Sequence, residues 1–573
     1  MSSDANATSF LTFLLLLLTI EITAAAASSD YSVKRFDFHV QYQNVTRLCR
    51  TKSLLTINGQ FPGPTIAVNE GDSVEVKVHN DAKYNMTIHW HGVRQLGTGW
   101  SDGPAYITQC PIQKGQSYTY KFKVDGQVGA LFWHAHISWQ RASIHGAFTI
   151  YPRKGVPYPF PKPDAEAQIL FGEWWNGDVE AIEAYANKYG GGPNVSDAYT
   201  INGQPGLLFP CSAKDTFVQH VHHGKTYLLR IVNAALNVQL FFAIANHTMT
   251  VVEIDATYTK PYTTNYILLA PGQTMSVIMA TDQPNGKYIM AARPYVTSDV
   301  PFDNTTTTAI LQYAGSSRSS SENLQIMPNL PDMRDTDSAT NFSATLRSLN
   351  SAQYPSIVPK KIDTRLFFTV GLNLQDCPPG DSCKGYYGGR FSASVNNQSF
   401  ILPQTALLQA AYNNNSGVFS RDFPSRPPLQ FNYTANNLSI NMNPQFSTRV
   451  NCIPYNANVE LILQDTGIMG FENHPIHIHG YNFFVVGRGF GNYKPTTDPS
   501  SFNLVDPPIH NTVGVPKGGW AALRFKADNP GVWFMHCHLE VHTSWGLAMA
   551  FLVEKEGGLR QSLGPPPQDL PPC

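Results

Sequence analysis

One eight-residue segment occurs in this chain in three versions: G-A-L-F-W-H-A-H at 129–136, G-K-Y-I-M-A-A-R at 286–293 and G-V-W-F-M-H-C-H at 531–538. Each opens on glycine, runs through four mostly large apolar residues and ends in a variable triplet. Such self-similarity predicts tandem copies of one folding unit. T-I-N-G-Q, at 56–60 and again at 200–204, supports the duplication. Short runs rich in β-branched residues lie between Gly, Pro and Asn clusters, as in V-E-V-K-V (74–78), Y-L-L-R-I-V (227–232) and V-E-L-I-L (459–463). They make the unit an all-β sandwich. The expected order is a signal peptide over 1–27, domains over 28–155, 156–325 and 361–573, and a linker over 326–360, with S-S-R-S-S-S-E-N (316–323) read as the start of the long linker stretch. The only helix-like stretch of note is 177–188.

Two of the three triplets carry histidine, and H-x-H recurs as His89/His91, His134/His136, His477/His479 and His536/His538. Side chains at i and i+2 of a strand share a face, so each pair can converge on one site. Imidazole suits copper, zinc, iron and nickel. Four pairs, two in the first repeat and two in the third, predict a metal cluster between those domains. The second repeat, with A-A-R, has lost the metal.

In H-C-H the alternation turns Cys537 away from the cluster that His536 and His538 serve. It must look into its own domain, where His474 and His542 can complete a second site. Two histidines, a thiolate and a weak or absent axial group describe a blue-copper electron-transfer centre. The competing reading pairs all eight cysteines as four disulfides, which would consume Cys537.

The bulk composition narrows the partners. Charged residues are 14% and the net charge is −1, so no basic field exists to hold nucleic acid. The apolar run at 10–20, followed by Ala24 to Ala27, reads as a secretory signal, although Asp4 and the lack of Lys or Arg before it are atypical. No segment is read as spanning a membrane. Sequons at Asn44, Asn85, Asn194, Asn246, Asn304, Asn341, Asn397, Asn414, Asn432 and Asn437 predict N-linked glycans on a secreted, monomeric chain.

With H-W-H-G (89–92), W-H-A-H (133–136), H-P-I-H-I-H-G (474–480) and H-C-H-L-E-V-H (536–542) in that order, the chain resembles the multicopper oxidases, and within them the plant laccases. G-W-S-D-G-P-A-Y-I-T-Q-C-P-I (99–112) and N-P-G-V-W-F-M-H-C-H-L (529–539) extend the likeness. The resemblance implies three tandem cupredoxin-like Greek-key domains and four copper ions: one type 1, one type 2 and two type 3. It implies type 1 ligands His474, Cys537 and His542, with Leu547 at the axial position where ascorbate oxidases carry methionine. Type 2 would take His89 and His477. One type 3 ion would take His91, His134 and His538, and the other His136, His479 and His536.

The implied activity is one-electron oxidation of phenols such as lignin precursors in the cell wall, coupled to reduction of O2 to water. The implied roles include lignin polymerisation or degradation and phenol detoxification. Electrons would enter at His542 and leave through Cys537. Asp102 and Glu540 match acidic positions associated with proton delivery, against a simpler role in orienting histidines. The family pattern pairs Cys49 with Cys211 and Cys110 with Cys573. Cys377 and Cys383 are close enough to pair locally, and Cys452 is left as a free buried thiol. Q-H-V-H-H-G (219–224), His39, His79, His145, His247 and His510 are read as having no metal role. Ascorbate oxidase, ferroxidase and a copper-free cell-wall protein remain as alternatives.

Overall fold

The computed structural model describes residues 32–315, 326–435 and 443–573. The expected signal peptide, the serine-rich stretch at 316–323 and the Asn437 sequon lie outside these residues. The described chain forms six sheets in three pairs, and the same connectivity recurs in each pair. A long first strand lies parallel to a later one: Val33–Arg47 to Ser73–Asn80, Ala165–Trp174 to Thr226–Asn233, and Thr364–Gln375 to Asn458–Asp465. Parallel neighbours cannot be joined by a tight hairpin, so each unit crosses between its two sheets.

The repeated segment occupies one equivalent position three times. Gly129–Ala135 lies between Ile88–His91 and His145–Tyr151. Lys287–Tyr295 lies between Gln239–Ile244 and Thr307–Tyr313. Gly531–Cys537 lies between His474–Ile478 and Ala548–Glu554. The repeat in the sequence is therefore the same central strand in three sandwiches. Each sandwich has its own apolar core, built on Phe38 and Trp133, on Ile231 and Phe242, and on Phe368 and Phe551.

Helices are few. The segment read as helical at 177–188 forms Val179–Tyr189, capped by the Asp178 side chain and ended by Gly190 in the left-handed region. The stretch read as a linker is not featureless. Its helix Thr336–Thr345 is capped by Asp335 and buries Ala339 and Phe342 in the core of the second sandwich. Among the described residues no helix is long and apolar enough to cross a membrane.

Candidate metal centre

Strand register builds the histidine cluster. His89 lies directly opposite His134, and His477 directly opposite His536. His91, His136, His479 and His538 extend each strand or its end by two residues. Neighbouring side chains show the alternation within Gly531–Cys537. Trp533, Met535 and Cys537 join the core of the third sandwich, whereas Val532 and Phe534 join a different cluster on the other face. His536 and His538 follow the second set. His91 and His538 approach across the two sandwiches at 3.1 Å, and His136 and His536 at 3.3 Å.

The outer nitrogen of most rings is already committed. His89 Nδ1 donates to the carbonyl of Asp102 at 2.7 Å, His477 Nδ1 to that of Asn511 at 2.8 Å, His134 Nδ1 to that of Ala135 at 2.8 Å, and His536 Nδ1 to that of Cys537 at 2.9 Å. A carbonyl can only accept, so each Nδ1 carries the proton and Nε2 presents a lone pair. His479 Nδ1 donates to Asp102 Oδ2 at 2.9 Å. His91 is reversed: its Nε2 contacts Thr512 and Asn511, leaving Nδ1 inward.

The Nε2 atoms of His89, His477 and His479 are buried without a hydrogen-bond partner. Unpaired buried nitrogens are costly unless something else fills their lone pairs. Burial, reinforced by the surrounding rings and Arg141, holds His91, His134, His136, His477, His479, His536 and His538 well below the ordinary histidine range. Neutral inward-facing imidazoles in this number fit copper.

The second site has the geometry of three ligands around one ion. His474 Nδ1 and His542 Nδ1 are 3.3 Å apart and lie 3.8 and 3.5 Å from Cys537 Sγ. All three residues are buried. Burial pushes the Cys537 thiol up, and a bound cation would reverse that by stabilising thiolate. Leu547 is fully buried in the same core; its carbonyl accepts from Cys537 N and its own N–H donates to the His542 carbonyl. Residues grouped closely enough to share an ion are thus His91/His134/His538, His136/His479/His536 and His474/Cys537/His542, with His89 and His477 meeting beside His91.

A cavity of about 380 Å³ opens over His542, with Trp175, Phe302, Phe391, Val541 and Glu472 in its walls. His542 Nε2 faces Glu472 Oε2 at 2.9 Å. Burial works against ionising Glu472, but the hydrogen bond and charge of His542 outweigh it and hold the carboxyl below its usual range.

Asp102 is fully buried and touches two cluster histidines. Glu540 instead pairs with Arg141 at 3.2 Å, and burial pushes its carboxyl up to about 7.

Two residues that matter here carry no local sequence signal. Arg141, buried in the first sandwich, stands 2.7 Å from His538 Nδ1 and donates to the carbonyls of Leu236 and His538. It thereby joins all three sandwiches. Gly272 of the second sandwich has φ +89°, and a Cβ there would lie 2.9 Å from His538 and 3.0 Å from His91. The sandwich without metal ligands still closes the cluster.

The remaining histidines divide. His220, His222 and His223 are exposed. His145, His247 and His510 are buried and hydrogen-bonded, His510 to Asp255 at 2.9 Å. Cysteines pair as Cys49–Cys211, Cys110–Cys573 and Cys377–Cys383. Cys452 is free but exposed, not buried. Its strand Val450–Pro454 is the edge of its sheet, and alternation turns the thiol outward between Asn451 and Ile453.

Family models described as multicopper oxidase match residues 39–155, 166–316 and 422–557. Laccase-11 of Arabidopsis thaliana is 56% identical over 95% of this chain and 96% of its own length. Laccase-2 of Oryza sativa subsp. japonica is 55% identical over 99% and 100%. Among solved structures, a laccase from Botrytis aclada superposes with a TM-score of 0.71 at 27% identity, covering 91% of this chain and 88% of that one.

Proposed function

The chain belongs to the multicopper oxidase family, and on that premise we propose that it acts as a laccase: a copper-dependent oxidoreductase that takes single electrons from phenolic substrates and delivers them to O2. The observation that carries this reading is the division of one strand, with Cys537 meeting His474 and His542 beneath an open cavity while His536 and His538 face the histidine cluster. When bound, copper supplies one-electron chemistry at the thiolate site and, in the cluster, four-electron reduction of O2 to two waters.

The assignment of four ions follows the donor sets. His474, Cys537 and His542 would hold type 1 copper, and Leu547, buried in the same core, offers no donor atom, so the site would favour Cu(I). His89 and His477 would hold type 2. His91, His134 and His538 would hold one type 3 ion, and His136, His479 and His536 the other. The unpaired Nε2 atoms of His89, His477 and His479 support this.

The protein's own residues bind, orient and exclude water. His542 carries its Nε2 to the cavity wall, so a phenol lying against Phe302 and Phe391 reaches the site edge without entering the core. Asp102 fixes the rings of His89 and His479, and its Oδ1, without a hydrogen bond of its own, lies beside them where a proton-delivering group would act. Glu540 is better suited to anchoring Arg141, since its carboxylate is paired there.

The same reading makes the chain a secreted monomer of the apoplast or cell wall, oxidising lignin precursors. Eight of its described sequons expose their asparagine, which supports N-linked glycans; Asn397 is half-buried. Oxygen uptake with a p-diphenol, ascorbate and Fe(II), measured side by side, tests the function. The diphenol should be turned over fastest, with four one-electron oxidations, a net two diphenols converted to quinone, per O2. Faster turnover of ascorbate or Fe(II) would overturn the laccase reading in favour of an ascorbate oxidase or a ferroxidase.

A further inference from the structure

Outside the two copper sites, Asp37, His39 and His79 bring imidazole and carboxylate atoms close enough to share an ion. Asp37 and His39 lie two residues apart on the outward face of Val33–Arg47, and Phe38 and Val40 between and after them point into the core. Parallel pairing brings His79 of Ser73–Asn80 directly beside His39. The two rings stack 4.6 Å apart and within 4° of parallel. Asp37 Oδ1 lies 2.9 Å from His79 Nε2 and 3.9 Å from His39 Nε2. The three candidate donor atoms lie within 4.8 Å of one another. Donors held around 2.0–2.2 Å from a tetrahedral ion sit roughly 3.3–3.5 Å apart, and the observed separations bracket that value.

The surroundings are arranged as they are at metal sites. His39 Nδ1 stands 3.3 Å from Asp81 Oδ2, the carboxylate contact that metal-bound histidines commonly make with their other nitrogen. Asn58 pins the backbone on both sides: its Oδ1 accepts from His39 N at 2.7 Å, and its Nδ2 donates to the Asp37 carbonyl at 2.9 Å. The donors therefore sit on a fixed ladder, not on loops. Side-chain exposures of 63% for Asp37, 46% for His39 and 28% for His79 leave open positions for water.

We propose that Asp37, His39 and His79 form a surface site for one divalent transition ion of the zinc class, with Asp81 orienting His39. Two imidazoles and one carboxylate suit zinc in preference to magnesium or calcium. The ion clips Val33–Arg47, the first described strand, to Ser73–Asn80. Because it binds the folded ladder and not the separated strands, it stabilises this central strand pair of its sheet by mass action.

The test is titration of the copper-loaded enzyme with zinc chloride in a calorimeter, followed by gel filtration and elemental analysis of zinc and copper together. Wild type should retain one zinc per chain with its copper undiminished. His79→Ala should lose that zinc, and Asp81→Asn should weaken it on the order of 10- to 100-fold. His222→Ala, at an exposed histidine of the second sandwich, should bind as wild type. Diphenol turnover should be unchanged in every variant, which shows that each one folds. Zinc retained equally by His79→Ala, or no zinc retained by wild type, overturns the proposal.

Discussion

Replacing Asp102 by asparagine should slow the oxygen-reducing half of the cycle and spare the substrate-oxidising half. Asp102 Oδ2 accepts from His479 Nδ1 at 2.9 Å, and its backbone carbonyl accepts from His89 Nδ1 at 2.7 Å. Oδ1 stands 3.4 Å from the same His89 nitrogen without a hydrogen bond of its own. Asparagine keeps the backbone contact and can turn its oxygen to His479, so both rings stay in place. Its NH2 then faces a nitrogen that already carries a proton. A charge-assisted hydrogen bond becomes a neutral one, a loss of about 1–2 kcal/mol, and the opposed donors add to it.

At about 1.4 kcal/mol per factor of ten, the expected loss is on the order of 10- to 100-fold, the usual range for a group that orients metal ligands. Stopped-flow absorption separates the steps. Anaerobic bleaching of the thiolate band by a diphenol should run at the wild-type rate, and its return on mixing with O2 should slow by that factor at full copper content. Equal slowing of both steps, or no slowing of either, would refute the reasoning.

Arg141→Met should leave the half-buried Glu540 without its partner, a loss of at most about 3–5 kcal/mol, the figure for a fully buried pair; heat inactivation should accelerate, and adding Glu540→Gln should recover part of the loss. Gly272→Ala places a methyl group against His91 and His538 on a backbone with positive φ, so copper should be lost from the cluster while the blue band persists. Glu253, buried among Ala130 N, Ala256 N and Ser276, is pushed up to about 7 by burial. A carboxyl raised in the fold contributes stability that is fully present below about pH 4.5 and lost as pH rises through 7, on the order of 3 kcal/mol. Inactivation rates from pH 4.5 to 7 should therefore rise more in wild type than in Glu253→Gln.

Period-two alternation made the centre of this molecule legible. His89 and His91, or His536 and His538, announce a shared face, and Cys537 between them announces the opposite one. Its limits show at Cys452. Apolar neighbours suggested burial, yet Val450–Pro454 has a strand on one side only, and sheet position is not written in five residues. The helix Thr336–Thr345 was hidden because only Ala339 and Phe342 of its polar sequence are buried, although Asp335 and Ser338 carry the cap. Arg141 and Gly272 act on histidines more than a hundred residues away, and Glu472 touches His542 directly although the two are distant in sequence. Their roles arise from the docking of three sandwiches, which no local pattern records. His39 and His79 look unrelated in sequence and become neighbours only through parallel pairing.

If one strand serves two copper sites through opposite faces, Cys537→Ser shows it most directly. Copper analysis and absorption spectra of wild type and variant should show about four ions per chain falling to about three. The intense blue band and diphenol oxidation should vanish while the cluster copper remains. A variant that stays blue, or one that loses all its copper together, would contradict the division of His536, Cys537 and His538 between two sites.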